Sequence, residues 1–129
     1  MADSTQGRHA LALVTVVLLA RGTVRGQTIT QLTDARTGVS APASLAANGL
    51  TAVFTSASDP LGTNADRSFE LYKLNVATNA PTQLTSNRTG GALLATIDDG
   101  ATTIAFMSQA DLTGGNHDQN PEIFVMHAD

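Results

Sequence analysis

The densest run of chemistry-bearing side chains is Asp111-Leu-Thr-Gly-Gly-Asn116-His117-Asp118-Gln-Asn120-Pro-Glu122. A hard cation such as calcium needs several oxygen ligands from one flexible loop, and Asn116, Asp118, Asn120 and Glu122 offer them at alternate positions. An earlier stretch keeps Asn64, Asp66 and Glu70, with Ser68 where the later one has Asn120. The complete EF-hand spacing, with its glycine and terminal bidentate glutamate, is absent from both. A structural reading competes with the metal: Asn and Asp side chains bond to nearby backbone and shape turns, while Gly114 and Gly115 allow a tight reversal. Calcium is the one cofactor this pattern brings into view.

The other reactive residue types do not assemble into a catalytic set. His117 has no metal-ligand spacing to His9 or His127, and the earlier stretch has Ala65 in its place, so a solvent-exposed turn histidine is expected. Asp98 and Asp99 are adjacent carboxylates, and a hairpin turn explains them better than acid-base catalysis. Ser56 and Ser108 lack a nucleophile elbow and a repeated basic partner. The chain has no cysteine, which excludes disulfides, thiolate nucleophiles and thiolate metal sites. No catalytic residue is assigned, and the chain is read as a non-enzyme.

What must position these groups is a repeat. Gln31-Leu32-Thr33 recurs as Gln83-Leu84-Thr85, and the same displacement of 52 carries Arg36-Thr37-Gly38 onto Arg88-Thr89-Gly90. Phe54, Ser56, Asp59, Gly62, Asn64, Asp66 and Glu70 fall on Phe106, Ser108, Asp111, Gly114, Asn116, Asp118 and Glu122. The register holds 15 identities over the 47 aligned positions that begin at residue 31. Each unit reads as short strands parted by turn residues. In the first unit they are expected at 43–47, 50–56, 69–75 and 81–85, preceded by a strand at Thr28 to Thr33 that would end another unit. With three strands in the second unit the expected total is eight. Asn48-Gly49 and Asp99-Gly100 supply the first hairpin of each unit. They stand one residue out of the common register, which calls for a local slip before Phe54 and Phe106.

Composition limits the rest. The 129 residues carry a formal net charge of -4, with 42% hydrophobic and 4% aromatic side chains and no tryptophan. A core of Ala, Leu, Val, Ile and Thr suits short strands better than long helices. A single lysine, Lys73, and scattered arginines leave no basic stripe for a nucleic acid. The apolar run at 10–20, ALALVTVVLLA, is too short to span a bilayer. Residues 1–26 are therefore a signal-like region or the remnant of a preceding unit, and 27–129 hold the two repeats. A signal would place the protein in the periplasm or outside the cell; a cytoplasmic location is the alternative.

A four-stranded meander of about 50 residues cannot bury both faces alone, so such units must stack, and radial stacking gives a propeller. At residues 27–129 the sequence resembles the TolB-like, WD40-like (PD40) β-propeller repeats of bacteria. The similarity lies in Gln31-Leu32-Thr33, Pro42 to Gly49, Val53 to Ser56 and Glu70 to Leu74, and in their second copies Gln83-Leu84-Thr85, Asp98-Asp99-Gly100, Ile104 to Ser108 and Glu122 to Met126. The Ser-Pro-Asp of the family's first hairpin is missing from both copies.

The resemblance implies an all-β fold of about two propeller blades, as a partial propeller or one subunit of an assembled ring. It implies a scaffold or binding module for a protein or glycan partner. Two alternatives are a piece of the gating propeller of a larger hydrolase or peptidase, and a self-assembling structural subunit. Repeated loops at one rim can form a binding surface, which singles out Arg36 and Arg88 as binding candidates. The same arginines could instead bridge neighbouring units through carbonyls or carboxylates such as Asp59 or Asp111. Exposed unit faces and an unpaired strand edge predict association of several copies.

Overall fold

In the computed structural model, Gly26 and residues 28–128 are described, and every statement of structure below concerns them. The signal-like run at 10–20 lies outside these residues. The fold is all-β: two antiparallel sheets packed on one another. The first contains β1 (Ser40–Leu45), β2 (Thr51–Ser56), β3 (Glu70–Asn75) and β4 (Ala80–Gln83), in that spatial order. The second contains β5 (Ala92–Ile97), β6 (Thr103–Ser108) and β7 (Glu122–His127), also in sequence order.

The repeat in sequence is a repeat in space. β5, β6 and β7 begin and end 52 residues after β1, β2 and β3. Both inner hairpins carry a register irregularity, between Ser40 and Ala43 in the first sheet and between Leu93 and Thr96 in the second. Gly38 and Gly90 take φ of 94° and 74°. A Cβ on Gly38 would lie 2.7 Å from the Ala57 carbonyl oxygen, and one on Gly90 would lie 2.5 Å from the Ala110 amide nitrogen. Only glycine combines that backbone conformation with so close an approach, which accounts for the repeated Arg-Thr-Gly.

Two expectations from the sequence need correction. The hairpins need no slip: Gly49 and Ala101, which are 52 apart, both adopt positive φ, 68° and 60°. What moved is the side chain that holds the turn. In the first unit Asn48 Oδ1 accepts from the amides of Leu50 and Thr51; in the second, Asp98 Oδ1 accepts from Thr102 and Thr103. Asp98 stands at the position of Ala46, so one backbone turn is braced from two different places.

The second correction concerns Thr28 to Thr33, which is not a strand. Residues 28–31 are the register equivalents of β4, but no strand edge is described beside them to complete a ladder. Among the described residues there are therefore seven strands rather than eight.

Strand alternation gives each sheet two distinct faces. One, the aromatic face, carries Ala52, Phe54, Tyr72 and Leu74 in the first sheet and Ile104, Phe106, Phe124 and Met126 in the second. Phe54 stacks on Tyr72 with ring centroids 5.4 Å apart, and Phe106 on Phe124 at 5.8 Å. The opposite, aliphatic face carries Val53 and Leu71 in the first sheet.

The aromatic face of the second sheet packs on the aliphatic face of the first, and Val53, Leu71, Ala92, Ala95, Ile104 and Phe106 form the main core. Full burial of a side chain such as Leu71 or Ile104 contributes about 1.5–3 kcal/mol. Leu84 seals this core, and Leu32, its counterpart, packs against the aromatic face of the first sheet.

Candidate functional site

The loop joining β2 to β3 is built around one buried asparagine. The amide nitrogen Nδ2 of Asn64 donates to the carbonyls of Ser58 and Ser68, at 3.1 and 2.9 Å. Its backbone N–H donates to Asp59 Oδ1 at 2.8 Å. Asn116 repeats the plan, donating from Nδ2 to the carbonyls of Gln109 and Asn120 and from its backbone to Asp111 Oδ1. The repeated Asp59/Asp111 and Asn64/Asn116 thus serve the loop's own architecture, and Gly62 and Gly114 share positive φ, 74° and 77°. At Arg67 and Gln119 the two loops even share positive φ, 58° and 54°.

The oxygen-rich quartet is distributed along this architecture. Asn116 is buried, and its Nδ2 holds the loop, leaving Oδ1 buried without a protein partner. Asn64 Oδ1, by contrast, accepts from Ser68 Oγ at 3.3 Å; Asn120 replaces that serine and instead donates to Asp118 Oδ2 at 2.9 Å. Glu122 is exposed. Among the described residues no three His, Cys, Asp or Glu side chains come together in a way that could hold a metal ion. His117 is exposed, and its Nδ1 lies 3.0 Å from Asp111 Oδ2. The Asp111 carboxyl is held below the usual aspartate range, first by the Asn116 N–H and further by the nearby imidazole.

Ser56 and Ser108 are buried at strand ends. Ser56 Oγ donates to the Val39 carbonyl at 2.9 Å and accepts from the Ser58 N–H, as Ser108 Oγ accepts from the Ala110 N–H. Asp98 and Asp99 sit in the β5–β6 turn. The N–H of Thr103 is the main cause of the lowered Asp98 pKa, with Thr102 adding to it.

Sequence reasoning noted Glu70 as a repeated residue without giving it a structural role. Its carboxylate is 1% exposed and accepts from Ser68 Oγ at 2.6 Å, from Thr85 Oγ1 and from the Asn87 N–H. It therefore ties the β2–β3 loop, β3 and the segment leading to the second sheet into one unit. A glutamate opening a strand in both copies, Glu70 and Glu122, was the available signal. Arg67 was missed altogether: its guanidinium donates to the Thr37 carbonyl and hydroxyl, joining this loop to the one before β1.

The two candidate arginines are placed differently. Arg36 is exposed, with Nε 3.5 Å from Asp34 Oδ2. Arg88 lies on the lip of a polar hollow of about 550 Å³ that also involves Thr63, Asp66 and Ser86. Thr63 and Ser86 also line an adjacent hollow of about 470 Å³, which runs past Thr82, Gln83 and Thr85. Together they form a groove beside β4, the edge strand of the first sheet. Hydroxyls, the Gln83 amide, one guanidinium and one carboxylate line it together with the apolar side chains of Leu61, Ala65, Pro81 and Leu84, and no aromatic ring does.

No protein-family model matches the sequence, and no curated protein matches it at a significant level.

Proposed function

We propose that this chain is a non-catalytic binding module, two divergent blades of a β-propeller similar to the TolB-like and PD40 repeats, whose partner is a protein taken up in extended form. The observation that carries this reading is the groove beside β4. Its hydroxyls, Arg88 and Asp66 supply donors and acceptors in the mixture that a peptide backbone and its polar side chains require. The edge strand leaves backbone groups on its outer side for an added segment, the arrangement on which β-strand addition depends. Pro81 faces outward without a donor and so confines such addition to the Gln83 end of β4. Absence of an aromatic platform favours a peptide over a glycan, since sugar rings are ordinarily held by stacking on apolar rings.

The reading is supported by a small all-β domain in which, among the described residues, no helix is long and apolar enough to cross a membrane. Selection from a displayed library of random peptides, with a glycan array run in parallel, tests it. Peptides carrying a carboxylate should be enriched, and Arg88→Glu should weaken them about tenfold, the loss of one charge-assisted hydrogen bond. Arg36→Glu should leave binding unchanged. Binding to glycans alone, or equal loss from both variants, would defeat the reading.

A further inference from the structure

The second sheet offers an apolar surface that the first sheet has already shown how to cover. In the first sheet the aliphatic face is closed: Val53 and Leu71 are both 0% exposed beneath the second sheet. The corresponding residues of the second sheet are Ala105 and Ile123, and Ile123 is 72% exposed. Around it the face is more apolar than its covered counterpart. Lys73 is matched by Val125, 64% exposed; Pro42 by Leu94, 66% exposed; and Thr55 by Met107. A shallow hollow of about 170 Å³ lies between Leu94, Ala105, Met107 and Ile123.

Leu94 adds a second indication. It sits in the β5 irregularity with φ of 53°, where the first unit has a proline. The left-handed region costs a leucine about 1–2 kcal/mol. Such strain is retained where the surroundings use it, and bulges commonly re-aim a side chain at an interaction surface.

The packing inside the chain identifies the occupant. The second sheet reaches the first through β5, which lies against β1, β2 and β3 and buries Ala92 and Ala95, with Ile97 partly covered. The equivalents of these three on β1 are Ser40, Ala43 and Leu45, and all three are exposed, Leu45 at 58%. Each molecule thus has a free β1 surface of the kind that β5 presents to the first sheet. It also has a free aliphatic face of the kind that receives it.

We infer that a second copy of this chain docks head to tail, its β1 residues Ala43 and Leu45 laid on the Leu94, Ile123 and Val125 face of the first. The contact joins unlike surfaces, so it propagates until it closes as a ring or extends as a filament. It involves a different part of the molecule from the groove beside β4 and stands independently of the proposed peptide binding.

Light scattering on the size-exclusion effluent of the full chain tests it with two variants, both at exposed positions. Ile123→Lys with Val125→Lys blocks the receiving face, and Leu45→Lys blocks the inserting one; circular dichroism of both should match the parent. The parent should run as multiples of the monomer mass that grow with concentration, and each variant alone as a monomer. An equimolar mixture of the two variants should give a species of twice the monomer mass, because each retains the surface the other lacks. A parent that stays monomeric at its solubility limit would overturn the inference. So would a Leu45→Lys variant that assembles like the parent, which indicates like-to-like pairing. A third variant, Val125→Lys alone, places at 125 the residue that the first unit has at 73 and should weaken assembly without unfolding; unchanged assembly would overturn the proposed face.

Discussion

Glu70 and Glu122 occupy the same place in two copies of one design, as do Leu71 and Ile123. In the first copy the glutamate gathers three hydrogen bonds and the leucine lies under a second sheet; in the second copy both positions face solvent. The strands and loops around them follow the same backbone plan, except that β4 and the segment after it have no described counterpart in the second sheet. Burial is therefore conferred here by the neighbour that each unit meets in space, and the same side chain is a structural element in one setting and open surface in the other. A unit of this kind has a fixed backbone and a face whose role depends on its surroundings.

The largest expected contrast is at the aliphatic faces. Leu71→Ala should destabilise the protein by about 3 kcal/mol, the usual loss for a buried leucine in a core that cannot collapse around the void. Ile123→Ala should change stability by less than about 0.5 kcal/mol in the dissociated chain. Urea unfolding at low protein concentration measures both, and equal losses would mean that the second aliphatic face is also covered. Next comes the glutamate pair. Glu70→Gln removes a charge that three donors were arranged to meet and should cost about 2 kcal/mol, whereas Glu122→Gln should be neutral by the same measurement.

These contrasts also show what could be read from the residues. The strand pattern was legible because identities such as Phe54/Phe106 and Glu70/Glu122 mark the same points of a backbone that repeats at 52 residues. The loop was legible as a turn, since Asn64 and Asn116 serve by hydrogen bonding within a few residues. Less could be read where position in space decides the outcome. Nothing local distinguishes Thr28 to Thr33 from β4, because a strand requires a partner. The groove beside β4 was equally hidden: Arg88 was marked by its repetition, but Thr63 and Ser86 meet only after folding. In the first hairpin the reading of Asn48-Gly49 against Asp99-Gly100 followed residue names, while the backbone followed φ.

That hairpin gives a smaller and reciprocal test. Ala101 holds the positive φ that Gly49 holds in the first unit. Ala101→Gly should stabilise by about 0.5 kcal/mol, relief of the left-handed strain outweighing the added freedom of the unfolded chain. Gly49→Ala should destabilise by about 1 kcal/mol. Thermal unfolding of the two single variants checks both signs.

The smallest effect is the response to acid. The Thr103 and Thr102 N–H groups lower the folded pKa of Asp98. Its contribution is therefore complete above the ordinary aspartate pKa of about 3.9 and disappears as pH falls through the lower folded value. Asp98→Asn should flatten the acid limb of unfolding midpoint against pH, and Asn48→Ala should leave that slope as it is.

The junction between the sheets carries a further consequence. The N–H of Ala92 donates to the Phe69 carbonyl at 2.7 Å, and a Cβ on Gly91 would stand 3.0 Å from that of Phe69. The second sheet thus starts from a backbone clasp on the first, one residue before β3 begins. The clasp works like the tread of a spiral stair, converting one local contact into a fixed angular step. A methyl at Gly91 would press on the Phe69 Cβ, so that the strain of the substitution falls on the junction between the sheets. If copies of the chain stack with the same step, its size decides how many of them complete a turn.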